Sequence, residues 1–186
     1  MNPLKSIARG YKRWRHRRGF GVHSPFAYRM VRDVLTSRGH YYAVVRFRRD
    51  TAGLPRKTIK EYAVLFRLVA RLAPRRINLA GSVEMQLYPV LRLADSRVLI
   101  AEGTGGYSHC DRVLTILSAS DIRHTLPDGI LRSGNMLVIR NLKEQPTALE
   151  TVLGAVTGGW VFADSRTAII VSDSDEPLNM VDVTIL

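Results

Sequence analysis

Two glycine-containing turns are the places in this sequence whose residue types and spacing could hold a nucleotide-type ligand. The first is Leu79-Ala80-Gly81-Ser82, which follows a short apolar run. The second is Ala101-Glu102-Gly103-Thr104-Gly105-Gly106, roughly 20 residues further on. In sheets built to bind nucleotides, such turns let backbone amides approach the ligand, and an acidic residue on the next strand accepts hydrogen bonds from ribose hydroxyls.

Gly81, Ser82, Glu102 and Gly103 are therefore the candidate cofactor-binding residues. The alternative is that the glycines only form turns and that Glu102 is a solvated or ion-paired carboxylate. No serine occupies a Gly-x-Ser-x-Gly turn, and cysteine and histidine are not clustered at zinc spacing, so the sequence predicts neither a catalytic residue nor a metal site.

A basic segment near the start of the sequence could bind anions. It combines Tyr11 and Trp14 with five candidate anion-binding residues: Lys12, Arg13, Arg15, Arg17 and Arg18. Such a segment can contact nucleic-acid phosphates while an aromatic ring stacks on a base, or it can lie on an anionic lipid surface. It can also be a solvated arm, or a helix that packs its apolar residues onto the domain.

The net charge of +12 is unevenly distributed along the sequence. Residues 1–76 hold 20 Lys or Arg against three acidic residues, a net of +17, and the remainder sums to −5. We therefore expect the cationic surface to belong to the first 76 residues alone.

Apolar periodicity and capping residues predict four helices. Ser24 and Pro25 have the order that a helix start requires, and a helix over 25–37 follows. Apolar residues at helical spacing predict a second helix over 57–72. Further helices are expected over 84–94 and 146–156.

Short, continuous apolar runs predict strands that are covered on both faces, as in a mainly parallel sheet. The runs lie at 76–80, 97–101, 113–117, 136–139 and 160–163. Residues 167–172 follow the last run after only Ser165 and Arg166, and so short a link allows only an antiparallel hairpin. A final strand is expected over 180–185.

The length of 186 residues suits one globular domain with an extension, which we divide at 1–56 and 57–186. No apolar run is long enough to span a membrane, and the start of the sequence lacks the apolar core of a secretion signal. A single cysteine, Cys110, cannot form an internal disulfide, which suits a reducing compartment. We therefore expect a cytoplasmic protein.

The segment Arg18-Gly19-Phe20-Gly21-Val22-His23-Ser24-Pro25-Phe26, with the helix that ends at Leu72, resembles a bacterial family of class I S-adenosylmethionine-dependent methyltransferase-like proteins. The resemblance implies a Rossmann-like α/β sheet, mainly parallel with antiparallel C-terminal strands and preceded by N-terminal helices. The family places a third strand between the second and fourth, but about ten residues separate Glu102 from Arg112, too few for a crossover connection. The third strand is therefore expected to be absent.

Residues that the family uses for binding are also changed. Leu79 stands at the acidic position of the first turn and Met85 near its second glycine, where side chains would obstruct the methionine portion of the cofactor. Related cation-dependent enzymes place carboxylates where this chain has Ser118 and Arg140, and the charge of Arg140 would repel a divalent cation.

Three functions remain open from the sequence. The first is a degenerate, non-catalytic methyltransferase-like protein that has no cofactor and offers a basic binding surface. The second is an active methyltransferase that uses S-adenosylmethionine in a pocket around Gly81 and Glu102. The third is a nucleic-acid-binding module acting through the N-terminal arginines. An uncovered edge beside the second strand could also pair in a homodimer.

Overall fold

The computed structural model describes residues 24–37, 46, 49, 51–81, 86–103, 112–122, 126 and 129–185. These residues form an α/β fold in which a seven-stranded, mainly parallel sheet is flanked by helices, an arrangement compatible with a Rossmann-like fold. The segments that precede Ser24 and those between the described ranges hold all five histidines and Cys110, so the structure does not bear on predictions about them.

The first described helix begins where the sequence predicts it. Helix α1 spans Pro25–Arg29, and the Ser24 hydroxyl accepts a hydrogen bond from the Ala27 amide at 3.4 Å. The helix then widens into a π-helix over Met30–Leu35, in which the Thr36 amide bonds back to the Val31 carbonyl at 3.0 Å. The predicted helix is thus present, but its second half is not α-helical.

Three longer α-helices follow in the described ranges. Helix α2 spans Arg56–Leu72, α3 spans Leu87–Ala94 and α4 spans Thr147–Leu153. Ala73 ends α2 in a left-handed conformation, one residue before Pro74. All three lie within or close to the ranges that the apolar periodicity predicts.

The sheet has the strand order β2-β1-β3-β4-β6-β5-β7. In chain order the strands are β1 Arg76–Leu79, β2 Leu99–Glu102, β3 Val113–Ser118, β4 Met136–Arg140, β5 Gly159–Ala163, β6 Ala168–Ser172 and β7 Leu178–Asp182. Strands β2, β1, β3 and β4 lie side by side in that order, and each is parallel to its neighbour. The predicted hairpin is confirmed, since β5 and β6 pair antiparallel with Ala163 opposite Ala168. The last strand, β7, lies parallel to β5.

Burial separates the central strands from β2. Every residue of β4 and all but the last of β3 are buried, as the continuous apolar runs predict. The same prediction is wrong for β2, in which Leu99 is 53% exposed. Within the described residues β2 has a neighbour on one side only, so its outer side lacks the cover that a central strand receives.

The core has two parts, one on each face of the sheet. On one face α1, the π-helix, α2 and α3 pack against residues such as Ile77 and Leu114. Phe26 lies against Trp160 of β5, with ring centroids 6.3 Å apart. On the other face α4 packs against residues such as Leu117 and Ile139. No helix in the described ranges is both long and apolar enough to cross a membrane.

Candidate functional site

The carboxyl ends of β1 and β3 form the position where an open α/β sheet ordinarily binds a ligand. From β1 the chain moves to β2 on one side and then crosses to β3 on the other side. The crevice at such a change of direction is the usual binding place in doubly wound sheets. Gly81 follows β1 here, and the short 3-10 helix Ala119–Asp121 follows β3.

Asp121 occupies the space beside Gly81. Gly81 has a φ of +73°, and a Cβ added to it would collide with the Asp121 carboxylate. Glycine is favoured at this position, because a side chain would be strained by the backbone angle and the Asp121 carboxylate would have to move to make room for it.

A capping box holds the Asp121 carboxylate in this place. The Ser118 amide donates to Asp121 Oδ2 at 3.2 Å, and the Ser118 side chain accepts from the Asp121 amide in return. The Ser118 hydroxyl also receives hydrogen bonds from the Ser120 hydroxyl at 3.1 Å and from Asn141 Nδ2 at 3.4 Å. The polar groups after β3 and β4 are therefore bonded to one another.

Glu102 ends β2 beside the end of β1, where it is the register partner of Leu79. The Tyr88 hydroxyl of α3 donates to Glu102 Oε1 at 3.0 Å. Desolvation raises the pKa of the Tyr88 phenol, and the hydrogen bond to Glu102 and the charge of that carboxylate raise it further. One oxygen of Glu102, the candidate partner of ribose hydroxyls, is thus already engaged by a tyrosine.

Gly103 follows Glu102 and completes this turn. Its amide donates to the Leu79 carbonyl at 2.8 Å, which extends the pairing of β1 and β2 by one bond. Its φ is +83°, and a Cβ there would meet nothing within 4 Å. In contrast to Gly81, glycine is favoured at position 103 by the backbone angle alone.

A buried ion pair lies at the end of β4. Arg140 Nε donates to Glu61 Oε1 of α2, and both residues are buried. The charge of Arg140, which on sequence grounds is expected to repel a divalent cation, is paired here with that of Glu61. A Glu–Arg pair also links α2 to the sheet at its carboxyl edge.

Sequence reasoning missed both Asp121 and Glu61, although each leaves a local signal. Ser118 and Asp121 have the spacing of a capping box. Glu61 shares the buried helical face with Leu65 and Leu68, at intervals of four and seven residues. Neither signal identifies the residue, distant in the sequence, that the carboxylate meets in the fold: Gly81 for Asp121 and Arg140 for Glu61.

The structure brings three of the predicted site residues to adjacent strand ends, namely Gly81, Glu102 and Gly103. The fourth, Ser82, lies outside the described residues. The candidate anion-binding residues also lie outside them: Lys12, Arg13, Arg15, Arg17 and Arg18. In the described part of the chain, no group of three or more His, Cys, Asp or Glu side chains is placed to hold a metal ion.

Comparison of the chain with protein-family models and with curated proteins finds no match.

Proposed function

We propose that this chain is a methyltransferase-like scaffold that does not transfer methyl groups and acts by binding a partner. The order of its four parallel strands supports this proposal. Doubly wound sheets have the order 3-2-1-4-5, and the order β2-β1-β3-β4 equals that pattern with its outermost strand removed. The outermost strand is the one that the sequence has too few residues to supply.

The observation that carries the proposal is the Asp121 carboxylate beside Gly81. In a cofactor site, the glycine turn brings backbone amides into contact with the ligand. Here the atoms nearest to the position that a Cβ of Gly81 would take belong to the Asp121 carboxylate. That carboxylate already accepts a hydrogen bond from the Ser118 amide. A ligand that approaches Gly81 from this side must displace that carboxylate and break the capping box.

Two further observations support the loss of cofactor binding. Leu79 stands where the resemblance places an acidic residue, and it is buried in the core. Tyr88 holds an oxygen of Glu102, so a ribose would have to compete for that carboxylate or share it.

Isothermal titration with S-adenosylmethionine and S-adenosylhomocysteine at millimolar concentration tests the proposal. We expect no saturable heat from the unaltered protein. Asp121→Ala and Asp121→Asn form a matched pair, because the first removes the group beside Gly81 and the second keeps its volume without its charge. Saturation of the unaltered protein at one ligand per chain would contradict the proposal.

An active methyltransferase with an altered pocket is the second candidate, and one observation favours it. Gly81, Gly103 and Glu102 lie at adjacent strand ends, as a ribose site requires. In that case Glu102→Ala weakens cofactor binding markedly while Glu144→Ala, an exposed carboxylate elsewhere, does not. Unchanged affinity in Glu102→Ala eliminates this candidate.

A further inference from the structure

At the opposite edge of the sheet, the part where β1, β2 and β3 begin gathers six arginines. We call this surface the arginine edge. It consists of Arg71, Arg75, Arg76, Arg92, Arg97 and Arg112.

The fold brings these residues together from separate parts of the sequence. Arg75 and Arg112 immediately precede the neighbouring strands β1 and β3, and the Arg75 amide bonds to the Arg112 carbonyl at 3.1 Å. The Arg75 carbonyl accepts from Leu99, the first residue of β2, at 3.3 Å. Arg97 lies two residues before Leu99, so three adjacent strands each start beside an arginine.

The two helices on this side of the sheet also end at the arginine edge. Arg71 lies in the last turn of α2 and Arg92 in the last turn of α3, directly before the connections to β1 and β2. The expectation that the cationic surface belongs to the first 76 residues alone is therefore wrong. Parallel strands begin at one edge wherever they occur in the sequence, so Arg92, Arg97 and Arg112 join a surface that the charge count along the chain does not reveal.

Three of these arginines donate hydrogen bonds to the scaffold, and two of those three, Arg92 and Arg112, are exposed as residues all the same. Arg112 donates to the Leu72 carbonyl at the end of α2, Arg92 to the Ser96 carbonyl at 3.2 Å, and Arg76 to Asn78 Oδ1 at 2.7 Å. The side chains of Arg71, Arg75 and Arg97 are exposed. Asp95, an acidic residue of the same edge, accepts a hydrogen bond from the Arg97 amide at 2.9 Å.

Strained backbone accompanies the arginine edge. Arg112 has a φ of +63° and Ala73 a φ of +43°, both in the left-handed region that residues with a side chain seldom adopt. A left-handed residue is common at the end of a helix, as at Ala73, whereas the angle of Arg112 is unusual for a residue with a side chain.

We propose that the arginine edge binds the phosphate backbone of a nucleic acid. Three adjacent strands span about 10 Å, which is the length of about three phosphates along one nucleic-acid strand. All six basic residues of the edge are arginine, whose planar guanidinium matches two phosphate oxygens at once, whereas a lysine is a point charge.

An anionic membrane fits this surface less well. Binding in a membrane interface needs an apolar face beside the basic residues. Of the large apolar side chains in the described residues of this edge, Leu99 is the one that is strongly exposed. The proposal does not depend on whether the carboxyl edge binds a cofactor, so the two proposals can fail separately.

Fluorescence anisotropy tests the arginine edge with the full chain, using labelled single-stranded RNA, single-stranded DNA and duplex DNA of mixed sequence. The variant is Arg71→Ala/Arg75→Ala/Arg97→Ala, which removes three exposed arginine side chains and leaves the hydrogen bonds of Arg76, Arg92 and Arg112 in place. We expect it to bind on the order of tenfold more weakly at low salt. The negative slope of the logarithm of the association constant against the logarithm of the salt concentration should become less steep by about 2 to 3. Each phosphate contact that is lost releases about one counterion fewer.

The matched control is Arg56→Ala/Lys57→Ala/Lys60→Ala, which removes three exposed charges from the first turns of α2, at the opposite edge of the sheet. It has the same net charge as the variant, and we expect its affinity to change by less than about threefold. Circular dichroism melting shows that each protein is folded.

Three outcomes would overturn the proposal. The first is absence of binding by the unaltered protein at low salt. The second is equal weakening in variant and control, which shows that net charge rather than the arginine edge determines binding. The third is binding to phosphatidylserine vesicles but to none of the nucleic acids. A substitution of the five basic residues at 12–18 by alanine measures the contribution of the N-terminal segment separately.

Discussion

The carboxyl edge and the arginine edge differ in how their candidate binding side chains are arranged. At the carboxyl edge Asp121 is bonded to Ser118, Tyr88 to Glu102, and Arg140 to Glu61. At the arginine edge, three guanidinium groups of Arg71, Arg75 and Arg97 are exposed to solvent. Turn glycines and a strand-end carboxylate therefore do not identify a binding site by themselves, because the neighbouring side chains decide whether the space between them is open.

The largest expected effect comes from breaking the buried ion pair at the carboxyl edge. Glu61→Ala leaves the Arg140 charge buried without its partner, so we expect the free energy of unfolding to fall by about 3 to 5 kcal/mol. Urea unfolding followed by circular dichroism measures this loss.

Glu150→Ala is the control, since Glu150 is an exposed carboxylate on α4, and it should change stability by less than about 0.5 kcal/mol. The double variant Glu61→Leu/Arg140→Met should recover much of the loss, because an apolar pair needs no compensating charge. A similar loss in Glu61→Ala and Glu150→Ala would show that the pair does not stabilise the carboxyl edge.

The second effect concerns the two turn glycines of the carboxyl edge, Gly81 and Gly103. We expect Gly81→Ala to lower the free energy of unfolding by about 1 to 3 kcal/mol, because alanine is strained at this φ and its Cβ collides with Asp121. Gly103→Ala is a control for the strain alone, since a Cβ there meets no atom within 4 Å.

The difference between these two variants measures the collision with the Asp121 carboxylate. In an Asp121→Ala background this difference should disappear, as a double-mutant cycle in urea reveals. If it persists, the carboxylate does not occupy the space beside Gly81.

The third effect concerns the proton on Tyr88. The pKa of its phenol is raised above the ordinary value of about 10, so the folded state favours the protonated phenol more than the unfolded state does. The resulting stabilisation is present below pH 10 or so and is lost as the pH rises through the higher folded-state pKa.

Ultraviolet titration of the phenolate, with Tyr88→Phe for assignment, tests this direction. Glu102→Gln should lower the pKa of Tyr88 only in part, because desolvation is the larger cause of the shift. A complete return to the ordinary value would assign the shift to Glu102 instead.

The smallest expected effect is at the arginine edge. Arg71→Ala/Arg75→Ala/Arg97→Ala should change the free energy of unfolding by less than about 0.5 kcal/mol, because exposed side chains contribute little to stability. Thermal melting at matched ionic strength measures it. A loss comparable to that of Gly81→Ala would mean that these arginines hold the fold together, and the contrast between the edges would not stand.

Much of the fold could be predicted from local patterns. Continuous apolar runs located β3 and β4, and the two-residue link of Ser165 and Arg166 was sufficient for the hairpin of β5 and β6. The π-helix could not be predicted in this way, because the bond from the Thr36 amide to Val31 differs from an α-helical bond by one residue and follows no residue type that marks it.

The candidate site was less predictable because it depends on distant partners. Local sequence locates Gly81 and Glu102 at strand ends, but it does not place Asp121 beside Gly81 or Glu61 beside Arg140. Those contacts follow from the strand order and from the packing of α2, which are properties of the whole sheet. The resemblance to methyltransferase-like proteins likewise remains a prediction.

The contact between Phe26 and Trp160 imposes an order on folding. Phe26 precedes the whole sheet in the chain, so its ring cannot lie against Trp160 until β5 has been made. Closing so long a loop slows folding, because its entropy cost must be met before the contact forms. During synthesis on the ribosome, the contact of Phe26 with Trp160 can therefore form only after β5 has been translated.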